Sequence, residues 1–379
     1  MEVNNARQQF RYLAKGLIHL NHAGVSPLST PVANAMIEYI NGMSEDAVAC
    51  GAWAWRRYFE CHDAFARIMG VDAQHVALTK NTAHGVSIVA DGLKWEPGDE
   101  VVFADCEYPA NTYPWLAQQD RGVVARIVPT RADGTIPVED YASHISSRTR
   151  VIAVSWVQFA TGYRSNLESL AKLAHDNGAL LVVDVIQGLG AMPLNLTEAG
   201  VDIAATGSQK WLMGPVGAGA LYVNPSVLDQ IRLVNMGSGS VINALAFDPL
   251  GFTPKHTAQR YEEGTPNVTG GLGVKAAIEF LEHHGIDKIS TRILSLTRQL
   301  MNGLWERGYT VLSPETDSER AGIVLFRHAQ IANETIIAAL AQAGIHVADR
   351  GGKVRFAPHF YISEEEIDRT LNTLPKFTS

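Results

Sequence analysis

Between about residues 75 and 225 the chain alternates short, β-branched apolar runs with amphipathic stretches, and this constrains its fold more than any other feature. The runs HVALT, EVVFAD, ARIVPT, VIAVSWV, ALLVVDVI, DIAATG and GALYV are separated by segments such as NLESLAKLAHDNG. That alternation calls for an α/β fold, with helices covering a mostly parallel central sheet. VIAVSWV and ALLVVDVI are almost continuously apolar, as strands buried on both faces must be, and each leads into a glycine-containing turn. Ligands of such sheets gather beyond the strand ends, so functional residues are expected just after these strands.

After about residue 260 the pattern changes. A glycine-rich turn, EEGTPNVTGGLG, leads into two long helical patterns through Arg307. Strands near 309–313 and 322–328, a helix near 332–343 and the strand VRFAPHF follow. A chain of 379 residues exceeds what one core comfortably supports. The expected division is an N-terminal segment, 1–20, packing with a smaller C-terminal α/β domain, 263–379, and a large domain, 21–262. A formal charge of −8 without a Lys/Arg run argues against nucleic acid as a partner. The amino terminus lacks an apolar stretch after a basic start, and no segment reaches membrane-spanning length, so a cytoplasmic protein without a membrane partner is expected. Cys50, Cys61 and Cys106 show neither CxxC spacing nor a companion histidine cluster, and no metal is expected.

The chemistry centres on Asp184, closing the run LLVVD, and Lys210 in TGSQKWLMGP, 26 residues later. An isolated aspartate is more often a helix cap, and an isolated lysine a solvated surface charge. Here the lysine follows an apolar strand through a Thr-Gly-Ser turn and precedes Trp211 and Gly214-Pro215, a poor setting for a solvated side chain. A lysine amine can form a Schiff base with an aldehyde cofactor. A carboxylate at a strand end can keep a pyridine nitrogen protonated, so that the ring accepts electrons from the substrate α-carbon. In TKNTAHG, a polar turn precedes the helical run VSIVADGL and leaves amides unpaired at a positive helix end, a ready phosphate site with the Thr82 hydroxyl as a further donor.

The pieces LNHAGVSP, TKNTAHG, EYPAN, VVDVIQ, TGSQKW, EEGTPN and VRFAPHFYISEEEID occur in the order found in the class V aminotransferases, and the chain resembles that family over nearly its whole length. The family includes cysteine desulfurases, kynureninases and isopenicillin-N-epimerase-like proteins. The resemblance implies the fold type I architecture of enzymes dependent on pyridoxal 5'-phosphate. Lys210 is then the cofactor lysine, Asp184 the partner of the ring nitrogen and Gln187 the group bonding the phenolic oxygen. Thr82, Ala83, Ser208 and Gln209 would cradle the phosphate, although many relatives have histidine in place of Gln209. Tyr108 would stack on the ring, Tyr-Pro resembling the Phe-Pro of kynureninases rather than the His-His of desulfurases. Thr265 resembles the residue that reaches a partner subunit's phosphate, implying a homodimer with composite sites. Arg355 matches the arginine that grips the substrate α-carboxylate. Asn21, His22 and Gly24 are expected at the substrate mouth, and Arg350 is a second positive group near a substrate side chain.

Desulfurases carry a nucleophilic cysteine on the loop before that arginine. This chain has HVADRGGKVRF there, with no cysteine. The expected activity is therefore a β-eliminating or C–S lyase acting on a small amino acid, with an aminotransferase using a 2-oxo acid as the alternative and an epimerase as a second. A catalytically silent cofactor binder is disfavoured, because a carboxylate clamp beside an imine lysine would have no use in one.

Overall fold

The computed structural model describes residues 3–244 and 251–376. All seven apolar runs become strands of one sheet: β1 (Val76–Thr79), β2 (Glu100–Ala104), β3 (Val124–Val128), β4 (Thr149–Ser155), β5 (Leu180–Asp184), β6 (Ile203–Gly207) and β7 (Gly219–Val223). Their order across the sheet is β1-β7-β6-β5-β4-β2-β3. Neighbours are parallel except at β7, which runs antiparallel to both β1 and β6. The reversal has a simple cause. Only residues 208–218 connect β6 to β7, and a parallel return requires a crossover of a dozen residues or more. Because β7 lies reversed between them, β1 and β6 run the same way, and the carboxyl ends of β1, β4, β5 and β6 reach one edge.

Alternate residues along the strands enter two separate cores. Val102, Ile152, Val154, Leu181, Val183 and Ala204 face one, whereas Val101, Val151, Ala153, Val182, Ile203 and Ala205 face the other. Burial on both faces explains why these strands read as continuous apolar runs rather than alternating ones. Helices α1 (Thr30–Glu45) and α2 (Ala47–Met69) follow the N-terminal segment; α3 (Thr82–Gly92) follows β1 and α4 (Leu167–Asp176) lies between β4 and β5. Phe65 and Met69 of α2 and Leu170 of α4 close the first core, and Val86 and Val89 of α3 the second.

Beyond the sheet come α5 (Val268–His284) and α6 (Ile286–Glu306), the two helices expected from the pattern. A four-stranded antiparallel sheet then forms from β8 (Thr310–Val311), β9 (Val324–Arg327), β10 (Ala348–Asp349) and β11 (Val354–Phe356), in the order β10-β11-β9-β8. Helices α7 (Asn333–Gln342) and α8 (Glu364–Thr373) complete this part. The run VRFAPHF is strand only to Phe356; Pro358 supplies no ladder N–H. Near the amino terminus, Ile18–His19 pairs in parallel with Ile345–His346 and Asn21 bridges to Ala357. Both terminal nitrogens of Arg7 also grip the Glu366 carboxylate, at 2.6 and 2.8 Å. The first twenty residues are thus tied to the last sixty. Among the described residues no helix is long and apolar enough to cross a membrane.

Candidate active site

Asp184 is the last residue of β5, paired with Ser155 of β4 on one side and Ala205 of β6 on the other. It is buried, and its Oδ1 accepts the Ile186 amide at 2.9 Å. Oδ2 has no hydrogen-bond partner among the described residues. Burial pushes the carboxyl up to about 7, opposed by the Ile186 amide and by the positive charge of Lys210.

Lys210 sits just past β6 in a turn that fixes its backbone from three sides. Met213 N–H donates to the Lys210 carbonyl (2.9 Å), Gly214 N–H to the Ser208 carbonyl (2.8 Å), and Ser26 Oγ to the Lys210 carbonyl (2.6 Å). Met213 closes the turn at φ 55°, a left-handed conformation rare for a side chain of its size. The Lys210 amine lies 5.1 Å from the centroid of the Tyr108 ring. Burial lowers its pKa to about 8; Asp184 resists that shift, while Arg355 and Arg350 add to it. Asp184 and Lys210, far apart in sequence, therefore share one buried electrostatic environment.

The side chain of Gln187 is oriented by opposed partners. Its Nε2 donates to the Ala23 carbonyl (3.1 Å), and its Oε1 accepts from Trp211 Nε1 (3.0 Å). An indole only donates, so the amide orientation is fixed and one Nε2 proton remains unused. At the start of α3, Asn81 Oδ1 takes the His84 amide at 2.9 Å. The Thr82 and Ala83 amides have no partner among the described residues, and the buried Thr82 hydroxyl has none either. Ser208 Oγ donates to the Pro215 carbonyl (2.6 Å), which leaves its lone pairs and not its proton for a ligand. The Gln209 carbonyl accepts the Ser26 amide at 2.8 Å.

Arg355 points from β11 and is 1% exposed. Its NH1 donates to the Phe159 carbonyl (3.1 Å) and NH2 to Asn21 Oδ1 (3.4 Å), while Nε has no partner. It forms no ion pair among the described residues. Burial pushes its pKa down to about 9, and the neighbouring charge of Arg350 lowers it further.

A buried lysine and a carboxylate at neighbouring strand ends, and a buried arginine with no ion pair among the described residues, thus come together. The class-V aminotransferase family model matches residues 18–368. The chain belongs to the class-V aminotransferase family. It is a pyridoxal-phosphate enzyme with the fold type I architecture. A probable cysteine desulfurase of Methanothermobacter thermautotrophicus is 28% identical over 389 residues, covering 96% of this chain and 95% of the relative. An uncharacterized aminotransferase of Bacillus subtilis, YcbU, is 28% identical over 353 residues, covering 92% and 91%. Among solved structures, the cystine C–S lyase C-DES with glycine covalently linked to its PLP cofactor superposes with a TM-score of 0.90 at 24% identity, covering 97% of this chain and 98% of that one.

The remaining sequence expectations for this class-V site fall into place unevenly. Tyr108, 44% exposed, packs edge-on against Phe159 at 5.0 Å. Thr265 lies apart from Lys210 within the chain, in a cleft of about 390 Å³ that it lines with Lys80, His84, Glu263 and Asn267. Arg350 is exposed at the tip of the β10–β11 hairpin and donates to the Asp349 carbonyl. His22 does not line a mouth. It is fully buried, with Nδ1 bonded to the Ala357 carbonyl (2.8 Å) and Nε2 to the Tyr361 hydroxyl (2.7 Å), and burial drives its pKa well down. It fastens Asn21's strand to the segment after Arg355.

Gly24 acts through Asn21. A Cβ there would stand 2.7 Å from Asn21 Oδ1, the atom that accepts from Arg355. Gly24→Ala is expected to fold normally, because only a side-chain end must move, yet to raise KM about 3- to 10-fold, the scale of one lost hydrogen bond. An unchanged KM in steady-state assays would show that Asn21 does not position Arg355.

Glu107 was not singled out in the sequence. It is buried, and its carboxylate accepts from Ser155 N (2.7 Å), Ser155 Oγ (2.5 Å), Asn111 Nδ2 (3.0 Å) and Gln158 Nε2. It thereby joins the loop carrying Tyr108 to the one carrying Phe159. A charged residue three positions past the end of a buried strand was the available signal.

Proposed function

We propose that this enzyme is a β-eliminating or C–S lyase acting on a small amino acid, with Lys210 as its catalytic base. The observation carrying this reading is a class-V core whose desulfurase-type cysteine position is replaced by a tight hairpin. The three thiols do not substitute for it. Cys50 lies in α2, and burial pushes both Cys61 and Cys106 up to about 12, far from thiolate at neutral pH. The same core without a sulfur acceptor is suited to release its product directly.

The residues present fit pyridoxal phosphate. The orphaned Thr82 hydroxyl and the free Thr82 and Ala83 amides suit its phosphate at a helix N-terminus; Ser208, expected beside them, has its hydroxyl proton and its amide committed to the Pro215 and Ala218 carbonyls and adds no donor as it stands. Oδ2 of Asp184 is open for a ring N–H, and the unused Gln187 proton for a phenolic oxygen. When bound, the cofactor supplies an electron sink for negative charge at the substrate α-carbon. Arg355 holds the α-carboxylate through its planar fork, and Asn21 and Phe159 fix the direction of that fork. Tyr108 and Phe159 wall the cleft on the side of the lysine. The free Lys210 amine would be the group placed to take the substrate α-proton, a role its lowered pKa favours near neutrality. Departure of the β-substituent then completes elimination. Thr265, remote from its own lysine, would serve the partner's site in a homodimer.

An aminotransferase is the second reading, favoured by the likeness to YcbU, and it would use the same residues. Mass-spectrometric product profiling of the cofactor-loaded enzyme against an amino-acid panel, with and without a 2-oxo acid, decides between them. Release of a 2-oxo acid with ammonia or a thiol in the absence of acceptor is expected. Turnover that requires the acceptor overturns the lyase in favour of transamination.

A further inference from the structure

The β10–β11 hairpin concentrates positive charge on one face. Its register pairs Ala348 with Arg355 and Asp349 with Val354. The next pair is Arg350 with Lys353, joined by the Arg350 amide on the Lys353 carbonyl at 2.8 Å. Cross-strand partners share a face and successive residues alternate, so Arg350, Lys353 and Arg355 all lie on the face of Ala348. The tip is a tight two-residue turn, with Gly351 and Gly352 at φ 60° and 73°, a conformation that suits a glycine pair. Asn333 of α7 bonds the Gly352 carbonyl and anchors the tip.

Like charges placed opposite one another on a ladder repel, and nothing among the described residues neutralises these. None of the three cations forms an ion pair among the described residues. Asp349, the one carboxylate in the hairpin, is on the opposite face and accepts the Gly352 amide. Arg355 on this face reaches the Phe159 carbonyl, Phe159 packs on Tyr108, and the Tyr108 ring lies 5.1 Å from the Lys210 amine, so the charged face adjoins the site. In a chain of net charge −8, this is a local excess of positive charge beside a site already equipped for one carboxylate.

Resting on the lyase reading above, we infer that Arg350 and Lys353 bind a second acidic group, and that the substrate is an amino acid with an anionic side chain: a carboxylate, sulfinate or sulfonate. Arg355 takes the α-carboxylate deep in the cleft, and the hairpin tip takes the distal anion near the entrance.

The test uses the holoenzyme and two readouts. In thermal melts, succinate and glutarate should raise the melting temperature at concentrations where propionate and butyrate do not, and the Arg350→Gln/Lys353→Gln variant should lose that difference. In kinetics, kcat/KM for β-elimination from L-cysteine sulfinate, L-cysteate and S-carboxymethyl-L-cysteine should exceed that from β-chloro-L-alanine, S-methyl-L-cysteine and S-ethyl-L-cysteine. The double variant should reduce this preference about 10- to 100-fold, mainly through KM, as expected for lost charge-assisted hydrogen bonds. A wild-type preference for neutral amino acids, or a preference untouched by the double substitution, overturns the inference and leaves the lyase standing. If no amino acid of either class is turned over or perturbs the cofactor's absorption, the functional reading falls and the inference with it.

Discussion

Lys210→Ala is expected to reduce turnover by about 10³-fold or more, because it removes both the amine that anchors the aldehyde and the base for the α-proton. The variant should fold. Lys210 is a buried cation whose charged form is disfavoured by desolvation and by two arginines, so deleting it relieves repulsion. Visible absorption of the cofactor-lysine adduct should vanish even where cofactor remains bound by its phosphate. The wild-type protein supplies a second reading of the same residue. With its pKa lowered from 10.5 to about 8, the amine becomes a free base as pH rises through about 8. Cofactor uptake by the stripped protein, followed by the growth of visible absorption, should accelerate over that range. A surface lysine would show the rise two units higher. Unchanged turnover in Lys210→Ala, or uptake that is flat from pH 7 to 9, would remove the lysine from the centre of the mechanism.

The parts of the fold that were legible are those whose physics is local. Six of the seven apolar runs became strands buried along nearly their whole length, where both faces need apolar side chains, whereas the edge strand β3 is mostly exposed. The reversal of β7 was not anticipated, because the runs themselves carry no sign of strand direction; only the short 208–218 connection rules out a parallel return. Asp184 and Lys210 follow strand ends, where this architecture places ligands, and their residue types match one chemistry. What could not be read depends on contacts across long separations. Asn21 meets Arg355 from 334 positions away, and the indole of Trp211 orients Gln187 from 24. Glu107 looks like a solvated charge until Ser155, Asn111 and Gln158 converge on it. His22 was placed at the mouth from its turn, yet burial is decided by the packing of Tyr361 and Ala357, which a turn sequence does not encode.

Arg355→Met should abolish efficient catalysis and stabilise the cofactor-free protein, a combination that separates a binding residue from a structural one. Loss of the carboxylate fork is expected to lower kcat/KM about 10²- to 10³-fold. The stability gain follows from burial. A guanidinium 1% exposed, with no ion pair among the described residues and its Nε unsatisfied, carries desolvation that its two carbonyl partners only partly offset. An unbranched apolar side chain fills similar space without that cost, and sites held in a strained state for function are where such substitutions gain stability. The melting temperature at pH 7 should rise by roughly 1–3 °C, the range for one or two kcal/mol in a chain of this length. Burial disfavours the charged form of Arg355, yet a guanidinium stays protonated throughout the accessible pH range, so the stability gain of the Met variant should be the same at pH 7 and pH 9. A variant that melts lower than wild type at pH 7 would mean that Phe159 and Asn21 depend on the guanidinium for their own packing. Arg355 would then be part of the scaffold as well as the clamp.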